Sequence, residues 1–283
     1  MNIIFLGEDS FSSVVLNALI SSGNNILAVY CPYYENKIFV RLKMLCEKNS
    51  IKFNRIKDIN SDFIVNEIAL LHPDLIVVAH FERILKYNII QIPRYGCINL
   101  HPSILPNYRG LSPQHWPIIN GDSYTGITVH FINEGIDTGD IIRQRVIDIE
   151  PCDYVSDLQL KMKNNYGPII IDAISDIRAN KIRPIVQSNK AGSYYGKLKD
   201  LDCQIDVNGK ALAALNLVRG VSFPYQGAEY NGYKIWKATL ASNEFVNNWG
   251  KIYTENGIYF VTGLGDFIKF KDGILIVEKY NKL

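Results

Sequence analysis

Three polar side chains lie between Gly96 and Asp140, a stretch framed by Pro and Gly turns: the amide of Asn99, the imidazole of His101 and the carboxylate of Asp140. Together they suit transfer of an acyl group to an amine. Such a reaction passes through a tetrahedral intermediate, and donors aimed at its oxyanion are usually the largest catalytic contribution, roughly 3–4 kcal/mol for each donor. Asn99 offers N–H donors that never titrate. The attacking amine must lose a proton, and a His tuned by a carboxylate works near neutral pH. Asp140 is the expected partner, because a nearby carboxylate favours imidazolium and fixes the ring. Taken singly, none of these residues is informative. An Asn-x-His pair is commonly a turn with a surface imidazole, Asp137 and Asp140 between glycines read as solvated turn residues, and His101-Pro102 marks a chain bend. Their joint occurrence carries the inference.

The elements that must position them are strands. Asn99 and His101 are two apart and so share one face of an extended segment. Asp74 to His80 reads as a buried parallel strand and Cys97 to Leu100 as a second short one. Residues that follow parallel strands lie at the carboxyl edge of the sheet, where α/β proteins bind ligands.

The order Asn99-x-His101, Ser103-Ile104-Leu105-Pro106, Asn107-Tyr108-Arg109-Gly110 and Ile136-Asp137-Thr138-Gly139-Asp140 resembles the folate-dependent formyltransferase family, in particular its members that act on nucleotide-linked amino sugars. The family's Ser-Leu-Leu-Pro motif stands here with one conservative change. The resemblance implies Asn99, His101 and Asp140 as catalytic residues and N10-formyltetrahydrofolate as co-substrate, with no metal. It implies a folate side formed by Phe81, Arg83, Ile84, Leu85, Ser103, Leu105, Asn133, Gly135 and Asp137. Ser10 and Phe11 fall in the turn that approaches the acceptor in that family. Arg109, His115, Tyr194, Tyr195, Lys197, Arg219 and Tyr225 complete the expected acceptor side, with aromatic faces for a nucleobase and cations for a pyrophosphate. The tyrosines could equally pack a seam between domains. His130, on an alternating strand, reads as a structural histidine.

The rest of the chain supplies the scaffold. Its 283 residues allow a catalytic domain at 1–190 and a small, largely β domain at 191–283. Apolar residues are 47% and charged residues 20%, ordinary globular usage. Five scattered cysteines without a C-x-x-C pair indicate neither a disulfide framework nor a zinc site. Met1 to Gly7 is too short and uncharged for a signal peptide, and no apolar run reaches membrane-span length, so a cytoplasmic location is expected.

The first half alternates strands (Asn2 to Leu6, Ile26 to Tyr30, Leu75 to Ala79) with helices (Ser12 to Ser21, Val40 to Asn49, Asp62 to Leu71). Ile127 to Ile132 and Asp140 to Ile149 read as paired strands, and Val155 to Arg178 as a helix. The fold class expected is α/β: a Rossmann-like doubly wound formyltransferase domain followed by a small all-β, open-barrel-like C-terminal domain. The turn after the first strand, Gly7 to Ser12, has one glycine and two acids in place of G-x-G-x-x-G, which excludes a dinucleotide. Beyond residue 190 come a helix at Asn208 to Gly220 and strands at Lys234 to Leu240, Gly250 to Thr254, Ile258 to Thr262, Phe267 to Phe270 and Ile274 to Lys279. Hairpin turns are expected at Asn256-Gly257, Gly265-Asp266 and Asp272-Gly273.

Two acceptors compete. An initiator methionyl-tRNA enzyme should carry a basic footprint, yet the net charge is only +2 with a pI near 8.1. The segment after the second strand, Cys31 to Val40, is short and aromatic where the tRNA enzymes have a glycine- and cation-rich loop. The expectation is therefore a dTDP-linked amino-dideoxy-hexose, with no nucleic-acid or membrane partner. The resemblance further implies a homodimer and a product destined for a glycan such as the O-antigen of lipopolysaccharide. A formyltetrahydrofolate hydrolase and a silent binding module are the remaining alternatives.

Overall fold

The computed structural model describes residues 1–8, 10–188, 191–241, 252–255, 258–261 and 265–283. The chain divides into two compact units, each discontinuous in sequence: Met1–Gly110 with Gly126–Ile147 and Lys161–Tyr194, and Leu111–Thr125 with Asp148–Leu160 and Tyr195–Leu283. A single cut at 190/191 is thus too simple, because two excursions of the N-terminal part group with the C-terminal unit.

The first unit is built on a seven-stranded sheet of β1 (Asn2–Gly7), β2 (Asn25–Pro32), β3 (Lys52–Ile56), β4 (Leu75–Ala79), β5 (Cys97–His101), β6 (Tyr124–Phe131) and β7 (Ile141–Asp148). Their order is β3-β2-β1-β4-β5-β6-β7. The first five run parallel, and β6 is antiparallel to β5. The central strands β1 and β4 are continuously apolar because both faces are covered: Ile3 to Leu6 and Leu75 to Val77 are wholly buried. Helices Ser10–Ser21, Val40–Lys48, Asp62–Leu70 and Val155–Arg178 stand within a residue or two of expectation. Strand β3 was not foreseen. Its Lys-Phe-Asn-Arg-Ile composition sits on the sheet edge, where neither continuous apolarity nor alternation is required.

The strand order reverses direction between β1 and β4, a topological switch point of the kind where α/β folds bind ligands. Gly7 ends β1 there. A Cβ at that position would lie 2.6 Å from Ser12 Cβ, so only glycine lets the first helix abut the strand. Ser12 Oγ then donates to the Ala79 carbonyl (2.7 Å) and accepts the Glu8 N–H (3.1 Å), locking the ends of β1 and β4 together. Glu8, buried, accepts the Glu82 N–H and the Tyr34 hydroxyl. Burial pushes its pKa up. Asp9 lies outside the described residues.

The second unit carries an open antiparallel sheet of β8 (Ala228–Tyr230), β9 (Tyr233–Leu240), β10 (Ile252–Glu255), β11 (Ile258–Val261), β12 (Gly265–Lys269) and β13 (Ile274–Lys282), in the order β8-β9-β13-β12-β11-β10. Helix Ala211–Val221 covers it, with Val218, Val221, Ile235, Ile268 and Leu275 in the shared core. The Asp272-Gly273 turn joins β12 to β13 as expected, with the Phe270 N–H on the Gly273 carbonyl. Gly265-Asp266, expected to be a turn, belongs to β12 and pairs with Val261 and Phe260. A further hairpin turns at Asn231-Gly232 between β8 and β9, where both residues take positive φ (46° and 81°). Asn256-Gly257, Gly250 and Thr262 lie outside the described residues. Among the described residues no helix is long and apolar enough to cross a membrane.

Candidate functional site

The antiparallel register of β5 and β6 creates the site. Asn99 sits opposite His130, and His101 opposite Thr128. Paired residues share a face, so His130 joins the constellation although its sequence position gave no sign of it. The Asn99 Nδ2 lies 3.2 Å from His130 Nε2 and 3.4 Å from Asp137 Oδ1. His130 Nδ1 is 2.8 Å from the Phe131 carbonyl, which can only accept. That nitrogen therefore carries the proton, and Nε2 is free to accept from the Asn99 amide.

The carboxylate at His101 is Asp137, not Asp140. Asp137 Oδ2 stands 3.5 Å from His101 Nδ1, and its Oδ1 is 3.5 Å from His130 Nε2. Asp137 holds a left-handed backbone (φ 53°), which turns the side chain inward. Three residues later, immediately before β7, the carbonyl of Asp140 accepts the Phe131 N–H at 2.9 Å, and the residue is partly exposed. Two acids in one turn look equivalent in sequence. The local backbone distinguishes them.

The loop that delivers Asp137 is tied down from several sides. Asn133 Oδ1 accepts the Gly135 N–H (3.0 Å) and the Thr138 hydroxyl (2.8 Å). The Gly110 N–H donates to Asp137 Oδ2 at 2.9 Å. Arg109 Nε donates to the Asp137 carbonyl (3.2 Å), while its Nη2 donates to Gln187 Oε1 (2.8 Å) and its Nη1 to the Ala191 carbonyl (3.3 Å). Gln187 Nε2 in turn donates to the carbonyls of Asp137 (3.0 Å) and Gly139 (2.6 Å). Arg109 is thus a buried clamp on the Asp137 loop rather than an acceptor-side cation. No sequence signal pointed to Gln187, whose partners lie about fifty and more positions away.

His101 is fixed from its other edge. Its Nε2 lies 2.8 Å from the carbonyl of Tyr108, so this nitrogen is the protonated one. The Ser-Ile-Leu-Pro motif supports that carbonyl. Ser103 Oγ donates to the Asn107 carbonyl (2.7 Å), Thr128 Oγ1 donates to the Ser103 carbonyl (2.7 Å), and the Leu105 N–H donates to Thr128 Oγ1 (3.2 Å). Ser103 and Leu105, expected on the folate side, are buried at 0% and 1% exposure and serve as this knot.

Of the other expected folate-side residues, Leu85 is buried in the core, Phe81 packs partly buried against it, and Arg83 and Ile84 are exposed. Asn133 and Gly135 are exposed in the Asp137 loop. Phe11 stacks on His80 with ring centroids 5.0 Å apart, and Tyr194 is exposed. The Ser10 side chain lies outside the described part of the structure. In the second unit, His115 Nδ1 is 2.8 Å from the Gly220 carbonyl and its ring meets Tyr225 edge-on at 4.3 Å. Arg219 donates to the carbonyls of Asp153 (2.8 Å) and Glu150 (2.7 Å) and to Asn216 Oδ1 (3.0 Å). Both are buried, and these bonds tie them to oxygens within their own unit. Tyr195 packs on Trp116 at 4.7 Å and accepts the Asn120 amide, whereas Lys197 is exposed.

Burial works against charge throughout the cluster, with opposite outcomes. For His101 burial dominates and lowers the pKa, although Asp137 pulls the other way; the charges of His130 and His80 add to the lowering. For Asp137 burial would raise the pKa, but His101, His130 and the Gly110 N–H outweigh it and hold the carboxyl well below the usual range. The resting site therefore holds an ionised Asp137 carboxylate beside a His101 imidazole that burial biases toward its neutral form. As pH falls below the ordinary imidazole value of 6.5, the unfolded chain takes up the His101 proton before the folded one does. Stability is then lost with acidification, and Asp137 adds a second loss below its ordinary value of 3.8. The melting temperature should fall as pH drops from 7 to 5, and His101→Asn should flatten that slope. A slope unchanged in the variant would refute the assignment.

The family described as formyl transferase matches residues 1–174. The methionyl-tRNA formyltransferase of Ehrlichia canis (strain Jake) is 32% identical over 286 residues, covering 98% of this chain and 90% of that protein. That of Ehrlichia ruminantium (strain Gardel) is 31% identical over 242 residues, covering 83% and 78%. Among solved structures, WlaRD, a sugar 3N-formyl transferase in the presence of dTDP and 5-N-formyl-THF, has a TM-score of 0.75 at 24% identity and covers 100% of this chain and 99% of its own. The N-formyltransferase from Helicobacter canadensis, in complex with folinic acid and dTDP-3-aminofucose, has a TM-score of 0.70 at 22% identity, covering 99% of each chain.

Proposed function

The chain belongs to the formyl transferase family, and from that premise we propose that it moves the formyl group of N10-formyltetrahydrofolate to the amine of a nucleotide-linked amino sugar. The observation that carries formyl transfer is the cluster of Asn99, His101, His130 and Asp137 on the paired edge of β5 and β6. The amine attacks the formyl carbon, a C–N bond forms, and the carbonyl oxygen takes the electron pair. The Asn99 amide donates to that oxyanion, and His101 places a positive charge beside it once it has taken up the amine's proton. The Asn99 contacts at 3.2 and 3.4 Å are long, so a full charge on oxygen displaces them readily. Collapse of the intermediate breaks the bond to N10, which recovers a proton. The proton lost by the amine passes to the His101–Asp137 pair, where it turns a neutral imidazole beside a carboxylate into an ion pair.

The sugar acceptor is supported by end-to-end correspondence with WlaRD and the N-formyltransferase from Helicobacter canadensis, each covering 99% or more of this chain and of its own. The weak net charge of +2 agrees. A tRNA acceptor is the second reading, favoured by identities of 31–34% to methionyl-tRNA formyltransferases. The cations around the loop after β2 also favour it: Arg55 lies 4.8 Å from the Tyr33 ring, and Lys37 and Arg83 each 5.2 Å from that of Tyr34.

The deciding assay offers N10-formyltetrahydrofolate with a panel of dTDP- and UDP-linked amino sugars beside charged initiator tRNA. Turnover on a sugar nucleotide is the expected result. Turnover on tRNA alone would overturn the sugar reading, and formate release without any amine would mark a hydrolase.

A further inference from the structure

His80 is an imidazole that the catalytic cluster does not use. It follows Ala79 at the carboxyl end of β4, and Ala79 pairs with Leu100, the residue before His101. His80 takes a left-handed backbone with φ 49°, uncommon for a non-glycine residue and concentrated at functional sites. Its ring is held from two sides. It stacks on Phe11 at 5.0 Å with planes 21° apart, and its Nε2 is 3.4 Å from the hydroxyl of the buried Tyr166. Phe11 and Tyr166 also meet edge-on at 6.0 Å. The fold thus spends a strained residue to hold a partly exposed imidazole at the switch point. His101, His130 and His115 by contrast are at most 4% exposed, and His72 lies at the other end of β4.

Resting on the sugar reading above, we propose that His80, held by Phe11 and Tyr166, is the positioning residue for the acceptor sugar. In this arrangement the flat apolar edge of Phe11 and His80 packs against the C–H face of a pyranose. The imidazole hydrogen-bonds a ring substituent next to the reacting amine, which keeps the nitrogen in line with the Asn99–His101 edge. An acceptor of this description is an amino-hexose with at least one polar neighbour of the amine. Formyl donation does not involve His80.

Steady-state kinetics of His80→Ala, His80→Gln and Tyr166→Phe test this, with the sugar nucleotide that gives best turnover and with melting curves for each variant. Loss of one hydrogen bond and its packing should raise the acceptor KM by about tenfold or more in His80→Ala. The kcat at saturating acceptor and the KM for formyltetrahydrofolate should stay near the parent values. His80→Gln, which keeps a donor and an acceptor, should restore most of the affinity, and Tyr166→Phe should fall between. An unchanged acceptor KM in His80→Ala overturns the proposal while leaving the sugar reading intact. Parallel loss of kcat, folate affinity and melting temperature also overturns it, since the role would then be structural. If the parent protein formylates no amino sugar, the sugar reading fails and this proposal fails with it.

Discussion

Asp137→Asn should reduce formyl transfer by roughly 10³-fold or more, the scale seen when a buried carboxylate that orients a catalytic imidazole is neutralised, while Asp140→Asn should keep most of the parent activity. The contrast follows from geometry. Asp137 faces both His101 and His130 at 3.5 Å and is held by the Gly110 N–H. Asparagine at 137 preserves that N–H bond through its carbonyl oxygen, so the loop should stay in place. It no longer offers a charge to the His101 proton, so the ion pair that forms as the amine deprotonates is lost. Asp140 contributes its main-chain carbonyl to Phe131, which any residue supplies equally. His101→Ala should be inactive with its fold retained. The measurement is the rate of transfer at saturating substrates, with circular dichroism as the control for folding. Equal damage from the two Asp variants, or full activity in His101→Ala, would falsify the assignment.

Gly139→Ala should be among the most destabilising single methyl additions in the chain. A Cβ at Gly139 would lie 1.8 Å from the carbonyl oxygen of Phe131 and 2.7 Å from its carbon. These are backbone atoms at the end of β6 and cannot rotate aside. The loop would have to move, and with it the Gln187 bond to the Gly139 carbonyl and the Phe131 N–H bond to Asp140. Overpacking of a fixed site costs on the order of 3 kcal/mol. Because Asp137 rides on the same loop, activity should fall further than stability alone explains. Gly196→Ala is the control: nothing lies within 4 Å of its added Cβ, and its melting temperature should match the parent. Equal melting temperatures for both variants would show that the loop accommodates the methyl group without cost.

Several features of this protein were already determined by the amino-acid sequence. Period-two spacing put Asn99 and His101 on one face. Unbroken apolar runs, Ile3 to Leu6 and Leu75 to Ala79, specified β1 and β4, and a long helical periodicity specified Val155–Arg178. These are local properties, set by neighbours a few residues apart. What the tertiary structure decided depends on distant partners. Arg109 and Gln187 are 78 positions apart, and His130 reaches Asn99 through strand register. The same holds for cations that look like ligand binders until burial assigns them to carbonyls, as with Arg109 and Arg219. The choice of Asp137 over Asp140 falls between the two cases. The acids share one turn, and a single positive φ, backed by a glycine against the Phe131 carbonyl, directs one inward and leaves the other at the approach to β7. Backbone handedness at an aspartate is decided by what packs around it, and that information exists only once the chain has folded.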